Sequence, residues 1–386
     1  MRAIGVCLPA DIPRVFLNLG NFSMTPFFID SNIAQAKTIS TDFYLKPEWW
    51  EASKNKIFAA SWQFAGDTDQ IPFAGSALPF TLLDEFLAEP LLLTRDKQNQ
   101  VHCLSNVCTH RGNLVVEKPC KLNDLRCKYH GRRFALDGTF AAMPEFKEVE
   151  NFPSAADNLK SLPLFQLGKW LFTSLQPRHE AGRYFQELEK RVSWMPFDEF
   201  KFRPDLSRDY LVDAHWALYC ENYLEGFHIP FVHAGLNTII DYSAYTTELF
   251  PLANLQVGVA RQEDASFDLP TDSPDYGKKI AGYYFWVFPN IMFNFYPWGL
   301  SINVVKPLSA NRTKVSFITY VWREEKLMEG AGANLHQVEM EDEDVVQQVQ
   351  RGIRSRFYTH GRYSVTRETG THHFHRLLAE HLNGTI

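Results

Sequence analysis

The sequence predicts an α+β protein, with a small all-β unit followed by a mixed domain of antiparallel sheet and long helices. Three observations carry this prediction. Between Trp62 and Leu175, short apolar runs such as residues 90–94 and 170–173 alternate with turn signals such as Asp137-Gly138. Four later runs, residues 283–288, 291–296, 300–306 and 315–322, read as strands of one antiparallel sheet. Residues 334–353 then return to helical spacing.

Taken in order, residues 47–63 bring Trp50, Ile57, Phe58 and Trp62 near helical spacing and predict a helix leading into the β unit. Beyond that unit, residues 209–228 also read as a helix. The longest uncharged stretch, residues 280–305, is long enough to cross a bilayer, but it holds Pro289, Pro297, Asn290, Asn294 and Asn303 and reads as a strand pair. Neither an internal repeat nor a low-complexity linker interrupts the chain.

The 386 residues suffice for two or three domains. Hydrophobic residues at 45% against 22% charged exclude wholesale disorder. A net charge of −6 with no basic run excludes nucleic acid as a partner. The first 22 residues lack the pattern of a secretory signal, Met24 is a second candidate start, and the expected location is cytoplasmic with no membrane partner. Six cysteines in such a chain read as thiols or metal ligands rather than disulfides.

Four of those cysteines, Cys103, Cys108, Cys120 and Cys127, crowd into 25 residues. Cys108-Thr109-His110 is followed, after 16 residues, by Cys127-Lys128-Tyr129-His130. Two thiolates and two imidazoles on two loops suit a tetrahedral zinc site, with Cys103 and Cys120 as spare ligands, or a [2Fe-2S] cluster with both Cys on one iron. Gly112 and Gly131, close after each His, favour the cluster, because small residues let backbone N–H groups approach its sulfides. Cys103, Cys120 and Cys220 otherwise read as buried thiols.

This C-x-H, spacer, C-x-x-H arrangement resembles the Rieske ferredoxin family, and the resemblance makes Cys108, His110, Cys127 and His130 the cluster ligands. Asn113 and Tyr129 stand where the respiratory type has an extra disulfide, which implies a lower-potential donor of the ferredoxin or oxygenase kind. Arg132 stands where the oxygenase pattern usually has Trp.

A second concentration of ligands spans Glu221 to His233. Glu225 and His228 share a helical face, whereas His228 and His233, five apart, would diverge by about 140° on an unbroken helix. Pro230 is expected to break the helix so that His233 swings back. Two converging imidazoles call for a downstream carboxylate, completing a triad that leaves positions open for O₂ and substrate. The order of Glu225, His228 and His233 is similar to that of Rieske non-haem iron oxygenase large subunits. That resemblance assigns the third ligand to Asp342, with Asp344 the alternative within an otherwise solvated acidic run. Glu at position 225 resembles the branch of choline and carnitine monooxygenases, and Asn222 is expected beside it near the iron. His215, His336, His360, His372, His373 and His375 read as ordinary histidines.

The resemblance, covering residues 43–375, implies an N-terminal segment (1–58), a Rieske domain (59–178) inserted into a helix-grip catalytic domain (179–386), and a head-to-tail homotrimer. It implies a [2Fe-2S] cluster, a mononuclear Fe(II), and electrons from NAD(P)H through a flavin/iron-sulfur reductase. Hydroxylation of a small quaternary or tertiary amine, betaine-like, is the expected reaction. Aromatic-ring dihydroxylation is the alternative, then an electron-transfer protein or a zinc-stabilised binding module. Rings from Tyr283 to Trp298 alternate along strands, so half are expected to face the cavity and half the helix layer; most read as plain sheet core, and those at the cavity suit either a planar arene or a methylammonium cage.

Overall fold

Strand alternation organises the catalytic half. In the computed structural model, which describes residues 26–262 and 265–384, the strands Ile280–Val287, Ile291–Tyr296, Gly299–Ser309 and Arg312–Val321 follow one another antiparallel. Thr246–Phe250 and Ala253–Val259 extend this sheet on one side, and Lys201–Phe202 and Arg208–Val212 pair with the last strand, giving eight strands. The uncharged stretch therefore feeds three strands rather than two, and among the described residues no helix is long and apolar enough to cross a membrane. Gly299 opens the third strand at φ +151°, where a Cβ would lie 2.2 Å from the Tyr320 carbonyl, so only glycine fits.

Register decides what each ring does. Tyr284 lies opposite Asn294, and Asn294 opposite Ser301, so these share one face. Tyr283, Phe285, Phe293 and Phe295 take the other face and are fully buried. Phe293 there packs against Phe172 of the β unit and Phe185 of the helix Gly182–Val192, with ring centroids 6.0 and 6.4 Å apart. Most of the ring run is thus buried sheet core, with Phe293 joining it to the β unit.

Residues 209–228 are not one helix. Asp209 and Leu211 are exposed while Tyr210 and Val212 are buried, a period of two that belongs to the strand Arg208–Val212. The helix is Trp216–Tyr223, capped by His215 Nδ1, which accepts from Ala217 N–H at 3.3 Å. Near the amino end, Pro47–Ser53 is α-helical and Lys54–Phe58 continues as a π-turn. The long late helix is Leu335–Gly352, and Thr369–Asn383 closes the chain. Phe27 exchanges hydrogen bonds of 3.1 and 2.7 Å with Asn383 of that last helix. Met24 and Cys7 lie outside the described residues.

The β unit has a five-stranded and a three-stranded sheet, joined to the rest through Gln63–Asp67, Leu164–Leu167 and Trp170–Thr173. Buried Tyr320 of the catalytic sheet donates to Asp67 at 2.6 Å across that junction. A small separate core of Leu92, Leu104, Leu125, Phe134 and Leu136 includes Cys108 and Cys127. Cys103 and Cys220 are buried as expected, but Cys120 is exposed, because it sits on the two-residue strand Cys120–Lys121.

Candidate metal centres and cavity

The two cysteine loops are built alike. Cys108 N–H donates to Asn113 O at 2.8 Å and Gly112 N–H to Cys108 O at 3.0 Å; Cys127 N–H donates to Arg132 O at 2.9 Å and Gly131 N–H to Cys127 O at 3.0 Å. Gly112 and Gly131 close these turns at φ +74° and +73°. Nothing lies within 4 Å of a Cβ added at Gly112, so there the backbone conformation, rather than space, calls for glycine. Both thiols are buried and in contact, whereas His130 is exposed and its ring lies 4.8 Å from that of His110. Two buried thiols below and two imidazoles at the surface fit the donor set of a Rieske cluster.

Two neighbours refine this centre. Asn113 Nδ2 donates toward Cys127 Sγ at 3.7 Å, so the residue standing in place of a disulfide cysteine offers a hydrogen bond to a ligand sulfur. Arg132 is only 2% exposed, bonds Asp157 Oδ1 at 2.6 Å, and lies over Phe134, Phe140 and Phe152 at 5.0–5.7 Å. The guanidinium thus packs among rings, as an aromatic side chain there would.

The second centre forms where short elements meet the late helix. The helix Trp216–Tyr223 ends with Leu224, before Glu225, so Glu225 and His228 do not share it. Pro230 does not break a helix either: it sits in the first turn of Ile229–Val232, and His233 is the joint between that turn and Ala234–Ile239. His228 Nε2 and His233 Nε2 are 3.1 Å apart, and Asp342 Oδ1 lies 3.1 Å from His233 Nε2 and 3.4 Å from His228 Nε2. Asp344 instead accepts from Gln348 Nε2 at 2.8 Å.

Hydrogen bonds fix the tautomers. His228 Nδ1 faces Glu225 Oε1 at 2.7 Å and His233 Nδ1 faces Glu341 Oε2 at 2.8 Å, so each Nδ1 carries the proton and donates it. Both Nε2 lone pairs then converge with the Asp342 carboxylate on one point. Three converging electron pairs repel unless a cation or proton sits among them. An octahedral ion with bonds of about 2.1 Å sets neighbouring ligands about 3 Å apart, so the triangle fits a facial triad. Burial pulls the His233 pKa down, yet Asp342 and Glu341 outweigh it and leave it raised, as expected for a nitrogen that takes a proton when no metal does. Asn222 Nδ2 holds Asp342 Oδ1 at 2.6 Å, and Glu225 also accepts from the backbone N–H groups of Phe227 and His228.

A cavity of about 110 Å³ opens on this triangle. Its aromatic rings are Tyr219 and Tyr223 from the helix, Tyr245, Phe317 of the strand Arg312–Val321, and only Tyr284 and Tyr296 from the run 283–298. Sequence spacing misses Tyr219, Tyr223, Tyr245, Glu339 and Glu341, since the loops and helices that bring them in carry no strand alternation. Among the histidines read as ordinary, buried His375 contacts Tyr44, Tyr363 and Glu221, and buried His215 has its pKa lowered to about 3 by burial.

A Rieske [2Fe-2S] domain profile matches residues 61–153, and the ring hydroxylating alpha subunit (catalytic domain) profile matches residues 197–384. The chain belongs to the Rieske non-haem iron oxygenases: it is the terminal component that uses O₂, a [2Fe-2S] cluster, a mononuclear iron and a reductase's electrons to oxidise a small molecule. It is 27% identical over 368 residues to a chloroplastic choline monooxygenase of Arabidopsis thaliana, covering 91% of this chain and 84% of that one. It is 26% identical over 383 residues to the carnitine monooxygenase oxygenase subunit of Escherichia coli K12, covering 94% and 98%. The solved quaternary ammonium Rieske monooxygenase CntA matches with a TM-score of 0.74 at 23% identity over 91% and 97%. A naphthalene 1,2-dioxygenase from Rhodococcus matches at 0.70 with 15% identity over 89% and 94%, so fold alone does not separate the two chemistries.

Proposed function

We propose that this oxygenase hydroxylates a small quaternary or tertiary amine, with His228, His233 and Asp342 holding the mononuclear iron and Cys108, His110, Cys127 and His130 the cluster. The observation that carries the reading is the convergence of both Nε2 atoms and Asp342 Oδ1 within 3.1–3.4 Å at the mouth of a tyrosine-walled cavity. The names of the choline and carnitine relatives support the substrate class.

When bound, the iron binds and activates O₂ and the cluster delivers electrons singly. The protein's part is orientation. Glu225 and Glu341 hold the Nδ1 protons, keeping both Nε2 lone pairs inward, and Asn222 fixes the Asp342 carboxylate. The tyrosine faces offer methylammonium groups cation–π contacts of about 0.5–2 kcal/mol each. Ile229, Leu236, Ile240 and Val338 supply apolar stretches of wall that limit water.

The proposal extends to a head-to-tail homotrimer in which the cluster of one subunit serves the iron of the next. Exposed apolar residues flank both centres in support: Leu114 and Tyr129 beside the cluster, Phe227 and Phe231 beside the histidines. Turnover with a matched NAD(P)H reductase tests the function. Amine-dependent NAD(P)H and O₂ consumption with a hydroxylated or demethylated product is expected; product from simple arenes alone sinks the reading.

A further inference from the structure

One buried group in the cavity is left without a task by that mechanism. Glu339 lines the cavity one helical turn before Asp342 and is 2% exposed. Its Oε2 accepts from the Tyr219 hydroxyl at 2.6 Å, while its Oε1, equally buried, has no hydrogen-bond partner. A carboxylate oxygen held away from water is costly unless a donor or cation comes to it. Burial, opposed by the Tyr219 hydrogen bond and reinforced by Asp342 and Glu343, holds its pKa well above the usual carboxylate range.

Charge around the cavity is one-sided. Among the described residues, its wall carries the carboxylates Glu225, Glu339 and Asp342 and neither Lys nor Arg. A divalent ion at the triad offsets two of these charges, and the third is left for the ligand. Residues three apart on a helix have Cβ atoms about 5–6 Å apart, so a cation at Glu339 holds its adjacent carbons beside the triad.

We infer that Glu339 is the counter-ion for the substrate's ammonium group, and that the substrate is a net cation, an alkylammonium without a carboxylate. The inference rests on the amine reading above and narrows it. A zwitterion's carboxylate would enter a site with no cationic side chain to meet it and with one carboxylate charge left over by the triad's ion to oppose it.

Calorimetric titration of the anaerobic holoenzyme tests this, with choline and tetramethylammonium as cations and carnitine and glycine betaine as zwitterions. The cations are expected to bind at least about tenfold more tightly than the zwitterions. Glu339→Gln, checked for unchanged cluster absorbance and iron content, is expected to weaken choline at least about tenfold. Zwitterions binding as tightly as choline, or undiminished choline affinity in Glu339→Gln, overturns the inference while leaving the amine reading standing. Should Glu339→Gln not fold, the wild-type ratio of cation to zwitterion affinity decides alone. Binding of neutral arenes with no ammonium compound bound overturns both.

Discussion

His233 Nδ1 donates to Glu341 Oε2 at 2.8 Å while Asp342, the next residue, presents Oδ1 at 3.1 Å to the same ring's Nε2. Consecutive carboxylates on one helix therefore grip both nitrogens of a single imidazole. The first fixes the tautomer that the second needs.

Removing that tautomer lock should cost metal. Glu341→Gln is expected to lower mononuclear iron affinity about 10–100-fold, the usual effect of losing a carboxylate behind a histidine ligand. Iron titration of the stripped protein measures this, and the cluster's EPR signal should not move.

The same locks predict a reversible apo form. Because Glu225, Glu341 and Asn222 hold the triad by hydrogen bonds within the protein, chelating the mononuclear iron should leave the fold intact. Turnover should return on adding Fe(II), and circular dichroism before and after stripping checks the structure. Loss of the fold on chelation would mean the metal, not these bonds, organises the site.

In the β unit, Gly112→Ala isolates a backbone effect. With open space around the new methyl and φ at +74°, the expected loss is about 1–2 kcal/mol. Chemical denaturation followed at the cluster absorbance measures it.

Arg132→Leu leaves Asp157 without its buried partner. A loss of about 3 kcal/mol is expected, the low end for a broken buried pair because Asp157 keeps some water contact. The Asp157 pKa is lowered by the Ser154 N–H and then by Arg132. Its stabilising share is therefore present above the unfolded aspartate pKa and is lost as pH falls through the lower folded value. Acid titrations of wild type and Arg132→Leu should converge in that window.

Much of this was legible in the sequence where chemistry is local. Both ligand pairs announce themselves by residue type and spacing, and the late helix by its period. Asp342 is separable from Asp344 only in three dimensions, since the fold turns one toward the histidines and the other toward Gln348. The region 209–228 misleads because five residues of strand alternation are too few to stand out beside a helix. Most of the ring run is core, as the sequence suggests, but alternation gives two faces without saying which rings line the cavity or that Phe293 packs against the β unit.

The most direct test is iron and acid-labile sulfide per chain in anaerobically purified wild type and Asp342→Ala. The wild type should hold about three irons and two sulfides, and the variant about two of each with its cluster spectrum unchanged and turnover abolished. An unchanged iron count in the variant, or sulfide lost together with iron, would contradict the assignment of a separate mononuclear centre to His228, His233 and Asp342.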